Sequence, residues 1–270
     1  MTAVTQPPTV LAHLGPAGDH NDAPLAAVPT LAHALAARVG RDTEVFGRPF
    51  RPVELPSREH LDAARDPLEQ YAGAVGRQLA LRHPLLLVNG RCAASLATLP
   101  RVVQQVAGCV VVWFDAHADL NVPASSPTDY LGGMALSGPL GWWDTGFGAG
   151  LTPDRLALVG ARQVDPAERR AITDSGIRML PPEQATPAAV VEAIAGRPVF
   201  VHLDCDVFEP GLFETDYRET GGLLLPQFAA LAEAIADGAG DVVGVEIAEW
   251  QGPGAAGAGE LLDSLTPLLR

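Results

Sequence analysis

Short, unbroken apolar runs recur along this chain, with room for one helix between most neighbours. They are Leu85-Leu86-Leu87-Val88, Val110-Val111-Val112-Trp113-Phe114, Leu156-Ala157-Leu158-Val159, Val199-Phe200-Val201-His202-Leu203 and Val242-Val243-Gly244-Val245. Thr9-Val10-Leu11-Ala12 reads as a further run at the start. A strand without polar alternation has to be covered on both faces. Helical patterns at 68–81, 93–106, 166–175, 187–195 and 226–236 fill the gaps, and several open on a proline, whose missing N–H is harmless there. This alternation predicts an α/β fold, a parallel sheet with helices on both faces. The 270 residues fit one α/β domain spanning 1–270, and 47% hydrophobic against 19% charged residues allow a large core. The stretch 41–66 has weak periodicity and reads as an irregular surface segment. The Gly- and Ala-rich stretch 252–259 reads as a loop before a final helix ending near Arg270.

The net charge of −14 argues against a nucleic-acid partner, since phosphate binding needs clustered Lys and Arg. It suits a cationic substrate, or bound metal ions that offset carboxylates; a merely acidic, soluble surface is the plainer alternative. Three cysteines, Cys92, Cys109 and Cys205, are too sparse and odd in number for a disulfide framework and suit a reducing compartment. The first ten residues lack a signal-peptide pattern, and no apolar run approaches the ~20 residues that span a bilayer. A cytoplasmic protein without a membrane partner is expected.

The informative residues follow the strands. Run 110–114 leads into Asp115-Ala116-His117-Ala118-Asp119-Leu120-Asn121, run 199–203 into Asp204-Cys205-Asp206, run 242–245 into Glu246-Ile247-Ala248-Glu249, and run 85–88 into Asn89-Gly90-Arg91-Cys92. In open parallel sheets ligands bind at the carboxyl ends of the strands. In extended backbone, residues i and i+2 point the same way, which would put Asp115, His117 and Asp119 together, and Asp204 with Asp206. Carboxylates so crowded repel one another unless cations hold them, and two divalent ions sharing bridging carboxylates resolve the conflict. Taken singly, Asp204 and Asp206 could instead form a loop turn.

In order and relative spacing these residues resemble the arginase, agmatinase and formimidoylglutamase family. Asp115-Ala116-His117-Ala118-Asp119 matches its Asp-Ala-His-x-Asp motif. The run 203–210 resembles its second aspartate motif, with Glu209 for the usual Asp, and Gly221-Gly222-Leu223 matches a following element. In Glu246-Ile247-Ala248-Glu249, Glu249 matches the family's substrate-binding glutamate. The resemblance implies a three-layer α/β/α sandwich and two Mn²⁺ ions. Asp115 and Asp204 would bridge them, His117 and Asp206 would complete one site, and Asp119 and Cys92 the other. Asn121 and Thr128 match positions that hold the substrate's carboxylate, and Asp165 one that holds its α-amino group. A small guanidino amino acid would be the partner, and the family's habit of forming trimers or larger assemblies makes a homo-oligomer the expectation.

Two departures stand out. The family's first motif, Gly-Gly-Asp-His-Ser, is replaced by Asn89-Gly90-Arg91-Cys92-Ala93, so a cysteine occupies the position of a metal-binding histidine. A thiolate is softer than imidazole and leans towards Zn²⁺ or Fe²⁺; alternatively Cys92 is a small buried hydrophobe and one site is weak. The family's proposed shuttle histidine is replaced by Gly132, in Tyr130-Leu131-Gly132-Gly133-Met134, which suggests extra room in the pocket. Both changes resemble a branch of the family that acts on Nω-hydroxy-L-arginine and is associated with antibiotic biosynthesis. An N–OH group lowers the basicity of the head, so the reacting carbon needs less help from a shuttle. The implied reaction is attack of a hydroxide held between the metals, releasing hydroxyurea and ornithine. Glu249 would orient the cationic head, or else be a solvated loop carboxylate; Asp119 would carry the proton. Arginase or agmatinase activity on unmodified guanidino groups, or a non-catalytic binding protein of the same fold, are the alternatives. A deacetylase-like hydrolase would show a His-His pair, which this sequence lacks.

Other residues carry weaker expectations. His202 reads as a packed or supporting group beneath the pocket, Glu246 as a support for the ligands, and His20 as a mouth residue or a solvated one. Trp142, Trp143 and Phe147 read as core packing or as pocket wall.

Overall fold

The computed structural model describes residues 9–18 and 20–269; expectations placed on residues 1–8, on Asp19 and on Arg270 lie outside the described residues. In chain order the elements are β1 (Val10–His13), α1 (Ala23–Val39), β2 (Thr43–Phe46), α2 (Ser57–Ala80), β3 (Leu85–Asn89), α3 (Ser95–Gln105), β4 (Val110–Phe114), β5 (Leu156–Val159), α4 (Pro166–Ser175), β6 (Arg178–Leu180), α5 (Pro187–Ile194), β7 (Pro198–Asp204), β8 (Phe213–Glu214), α6 (Leu225–Gly238), β9 (Asp241–Ala248), β10 (Gly252–Pro253) and α7 (Ala258–Leu265). Eight strands form one sheet in the order β2-β1-β3-β9-β7-β4-β5-β6, and every pairing is parallel. The short β8 and β10 pair separately.

Why the apolar runs lack alternation is visible in where their side chains go. Leu85, Leu87, Val111, Trp113, Leu156, Leu158 and Phe200 face one core, with α2 and α3 above them. Leu86, Val88, Val110, Val112, Val199, Val201, Val245 and Ile247 face a second core, under α1, α5, α6 and α7. Successive strand residues thus feed opposite cores, the period of two that a doubly covered sheet requires. The result is the expected three-layer α/β/α sandwich.

Two expectations need correction. The segment 41–66 is not irregular: it contains the edge strand β2 and the first part of α2, which starts at Ser57 and runs through Pro67. Proline normally stops a helix, so the sequence pattern restarts at 68; the structure instead continues, because His60, Leu61, Ala64, Leu68, Tyr71, Ala72 and Val75 form one buried stripe at helical spacing. The stretch 252–259 likewise holds β10 and the start of α7. Neither α1 nor β6 stood out as a pattern.

Four neighbouring strands, β3, β9, β7 and β4, end at the same sheet edge. They deliver Cys92, Glu249, Asp204 and Asp115 to one place.

Candidate active site

The metal-motif residues converge, though not by extended backbone. β4 ends at Phe114, and the next five residues form a loop in which Asp119 takes a left-handed conformation, φ 52°. Asp206 lies in a short 3-10 turn after β7. The loops are tied to each other: Ala116 N–H donates to Asp206 Oδ1 (3.0 Å), His117 N–H to Asp115 Oδ1 (2.7 Å), and Asp206 N–H to Asp204 Oδ1 (2.8 Å). Arg162 fixes the turn from behind, donating to the carbonyls of Gly160, Asp206, Val207 and Glu219. Gly222 permits this packing, since a Cβ there would collide with the Phe208–Glu209 backbone; Glu209 Oε2 accepts from Gly221 and Gly222 N–H.

Three clusters of donor atoms, each within 4.8 Å, result: Cys92, Asp115 and Asp119; Asp115, His117 and Asp206; and Cys92, Asp204 and Glu249. All but His117 are buried. Burial, then the charges of Asp115, Glu168 and Asp206, hold the Asp119 carboxyl well above its ordinary value. Burial, then Asp206, Asp115 and Glu249, do the same to Asp204, and burial with Asp115 raises Asp206. Glu249 is raised by burial to about 7, against the opposing pull of Arg91. Burial, and then Asp204 and Glu249, push up the Cys92 thiol, which donates to Asp204 Oδ2 (2.9 Å). Asp115 goes the other way: burial opposes it, but the hydrogen bonds from His117 keep it low. A site of mutually repelling buried carboxylates, one imidazole and one thiol fits divalent cations, which would relieve the repulsion.

The supporting layer is a row across the sheet. Trp113, His202 and Glu246 are register partners on β4, β7 and β9. The Trp113 and His202 rings stack, centroids 3.4 Å apart and planes within 4°. Trp113 Nε1 donates to Asp115 Oδ2 (2.9 Å); His202 Nε2 touches Cys92 Sγ (3.2 Å), and its Nδ1 meets Glu246 Oε2 (2.8 Å). Glu246 also accepts from Asn89, Ser95 and Thr98. Burial disfavours its charge, but His202, Ser95 and Thr98 outweigh that and lower its carboxyl. Glu246 and His202 therefore act as the expected supports.

A cavity of about 240 Å³ is lined by Cys92, His117, Asp119, Asp204, Asp206 and Glu249 together with Asn121, Thr128 and Asp165. Asn121 Nδ2 donates to Asp165 Oδ2 (2.9 Å). All ten site residues expected from the sequence are thus brought together. Like Asp119, Glu249 has a left-handed backbone, φ 59°, and non-glycine residues in that region cost of order 1 kcal/mol and gather at functional sites. His20 does not line this cavity; it bonds Asp216 (3.1 Å) at an adjoining one shared with Tyr130 and Tyr217. Trp143 and Phe147 are core residues, with the half-buried Trp142 packed against that core.

The expected room at Gly132 is absent. A Cβ there would lie 2.7 Å from Cζ and 2.8 Å from the hydroxyl oxygen of Tyr130. The phenol ring, two residues back along the same loop, fills the space that the glycine vacates.

Glu168 and Arg91 are among the site residues that the sequence did not announce. Glu168 is buried in the cavity wall, accepting from Leu120 N–H (2.9 Å) and Asp165 N–H (2.8 Å); the Asp-Pro-x-Glu start of α4 was the available signal. Arg91 is fully buried, with Nη1 2.8 Å from Glu249 Oε2 and 2.6 Å from Asp216 Oδ2. Its signal was the arginine standing where the family motif has aspartate.

Comparison with known proteins agrees with this geometry. The sequence profile of the arginase family matches residues 36–258. The chain belongs to the arginase family. It is 39% identical over 241 residues to the N(omega)-hydroxy-L-arginine amidinohydrolase of Streptomyces lavendulae, covering 87% of this chain and 88% of that protein. In fold it matches the arginase of Bacillus caldovelox (TM-score 0.85, 21% identity, 98% of each chain) and the Entamoeba histolytica arginase solved with L-ornithine (TM-score 0.83, 19% identity, 97% of each chain). This arginase-family member is accordingly a hydrolase of guanidino or amidine groups. Among the described residues no helix is long and apolar enough to cross a membrane.

Proposed function

We propose that the chain hydrolyses the guanidino C–N bond of Nω-hydroxy-L-arginine, giving hydroxyurea and ornithine, with two Mn²⁺ ions bound. The observation that carries this reading is the loop at Gly132. Where the family's shuttle histidine would stand, Tyr130 fills the space, and His117 is the one histidine lining the cavity. A site without that imidazole suits a head group whose N–OH already lowers its basicity. The similarity to the Streptomyces lavendulae amidinohydrolase supports the same choice.

Cys92, Asp115, His117, Asp119, Asp204 and Asp206 would hold the ions. When bound, these ions neutralise the carboxylates and supply an acidified water as nucleophile. Glu249 accepts from the N–H groups of the head and orients it. Asn121, Thr128 and Asp165 hold the amino-acid end. Asp119 takes the proton of the attacking water and delivers it to the departing Nδ.

The test is kcat/KM for hydroxyarginine, arginine and agmatine with purified Mn²⁺-loaded enzyme, beside Cys92→His. Hydroxyarginine is expected to be the best substrate; more efficient hydrolysis of arginine or agmatine would sink the proposal.

A further inference from the structure

Behind the candidate head-group acceptor lies a second guanidinium, the protein's own. The Arg91 side chain has no solvent exposure, and its Nη1 donates to both Glu249 Oε2 and Asp216 Oδ2. Its Nη2 reaches the Asn21 carbonyl (3.3 Å). The other Glu249 oxygen, Oε1, accepts from Cys92 N–H (3.1 Å). Both oxygens of Glu249 are therefore engaged before any substrate arrives. Asp216 is held in turn by Asn21 Nδ2 (2.7 Å).

We propose that Arg91 sets the head-group specificity of the site, as a fixed positive charge behind Glu249 that disfavours a fully cationic guanidinium. The inference rests on the reading of Glu249 as the head-group acceptor. A guanidinium on the open side of Glu249 would sit roughly 6 Å from Arg91, two hydrogen-bond lengths across one carboxylate. Like charges that close, in a site screened from water, repel appreciably. Arginine carries its charge at every ordinary pH. An N-hydroxyguanidine is less basic and can bind with its charge diminished, so it loses less. Arg91 also leaves Glu249 fewer free lone pairs, which weakens the two-pronged grip that a bare carboxylate offers a guanidinium.

Two variants test this. Arg91→Lys keeps the charge and should hold the ratio of kcat/KM for hydroxyarginine over arginine within about threefold. Arg91→Met removes the charge and leaves Asp216, which is partly exposed and keeps Asn21 and His20 as partners. That ratio should then fall at least tenfold, chiefly through a lower KM for arginine, and guanidinium chloride should become a tighter competitive inhibitor by a similar factor. A folded Arg91→Met variant with the wild-type ratio and inhibition constant overturns the proposal. So does an Arg91→Lys enzyme that loses the preference, which decides the matter even if Arg91→Met does not fold. If the wild-type enzyme itself prefers arginine, the hydroxyarginine reading falls, while the guanidinium inhibition constants still report on Arg91.

Discussion

At the level of single residues, Gly132 and Tyr130 behave as one unit. Adding a Cβ at 132 forces the phenol out of its place, and overpacking of this kind costs about 1–3 kcal/mol. Gly132→Ala should lower the unfolding free energy measured by denaturant titration by that amount, and Tyr130→Ala in the same chain should recover most of the loss. Reinstating a histidine at 132 alone would not restore the family's arrangement. Asp165 allows a second residue-level prediction. If it holds the α-amino group, Asp165→Ala should raise KM about tenfold or more for amino-acid substrates and leave 5-guanidinopentanoate, which lacks that amino group, little changed. Equal loss on both substrates would remove Asp165 from that role.

The strands of this fold were legible in proportion to how fully they are buried. Central strands β3, β4, β5, β7 and β9 announced themselves as apolar runs, because both faces meet helices. The edge strand β2 has only Phe46 buried and left no run to see. In α2 the proline at 67 masked a stripe that continues through it. Acidic ends of strands were visible as motifs, but the side-chain directions were not: the expected extended alternation is a loop with Asp119 left-handed, and the tie between Arg91 and Glu249 joins residues too distant in sequence for spacing to reveal. The row Trp113–His202–Glu246 lies at this scale too. Replacing Glu246 by Leu takes from His202 Nδ1, Asn89 Nδ2, Ser95 and Thr98 the buried carboxylate they share, and breaking such a charged contact costs roughly 3–5 kcal/mol. Denaturant unfolding should register that loss, and the Mn²⁺ affinity of the folded variant should drop about 10–100-fold as Cys92 loses its backing.

For the molecule as a whole, the repelling carboxylates make stability depend on pH and metal together. In the metal-free chain Asp119, Asp204, Asp206 and Glu249 are raised, by burial first and by one another next, Glu249 to about 7. The folded state there holds protons more tightly than the unfolded one. That stabilisation is complete below the ordinary carboxyl range near ~4 and is lost as pH rises through the raised values. Asp115, Glu246 and Asp216 are lowered, so their contribution is present above that range and fails below it. Between roughly pH 5 and 8 the raised group governs. The Tm of chelator-treated protein should fall with rising pH across this window, and the increment from added Mn²⁺ should grow, since ions replace protons. An increment independent of pH would count against a shared cation site.

The stacked indole and imidazole with their glutamate, buried mid-sheet, bear on any attempt to move this chemistry elsewhere. Loops carrying the aspartate motifs could be grafted onto another parallel scaffold, yet the foundation that aims Asp115 and Cys92 would stay behind in the donor's strands. A transplant has to carry three interior strand positions along with the visible rim, or the grafted ligands will arrive without anything to aim them.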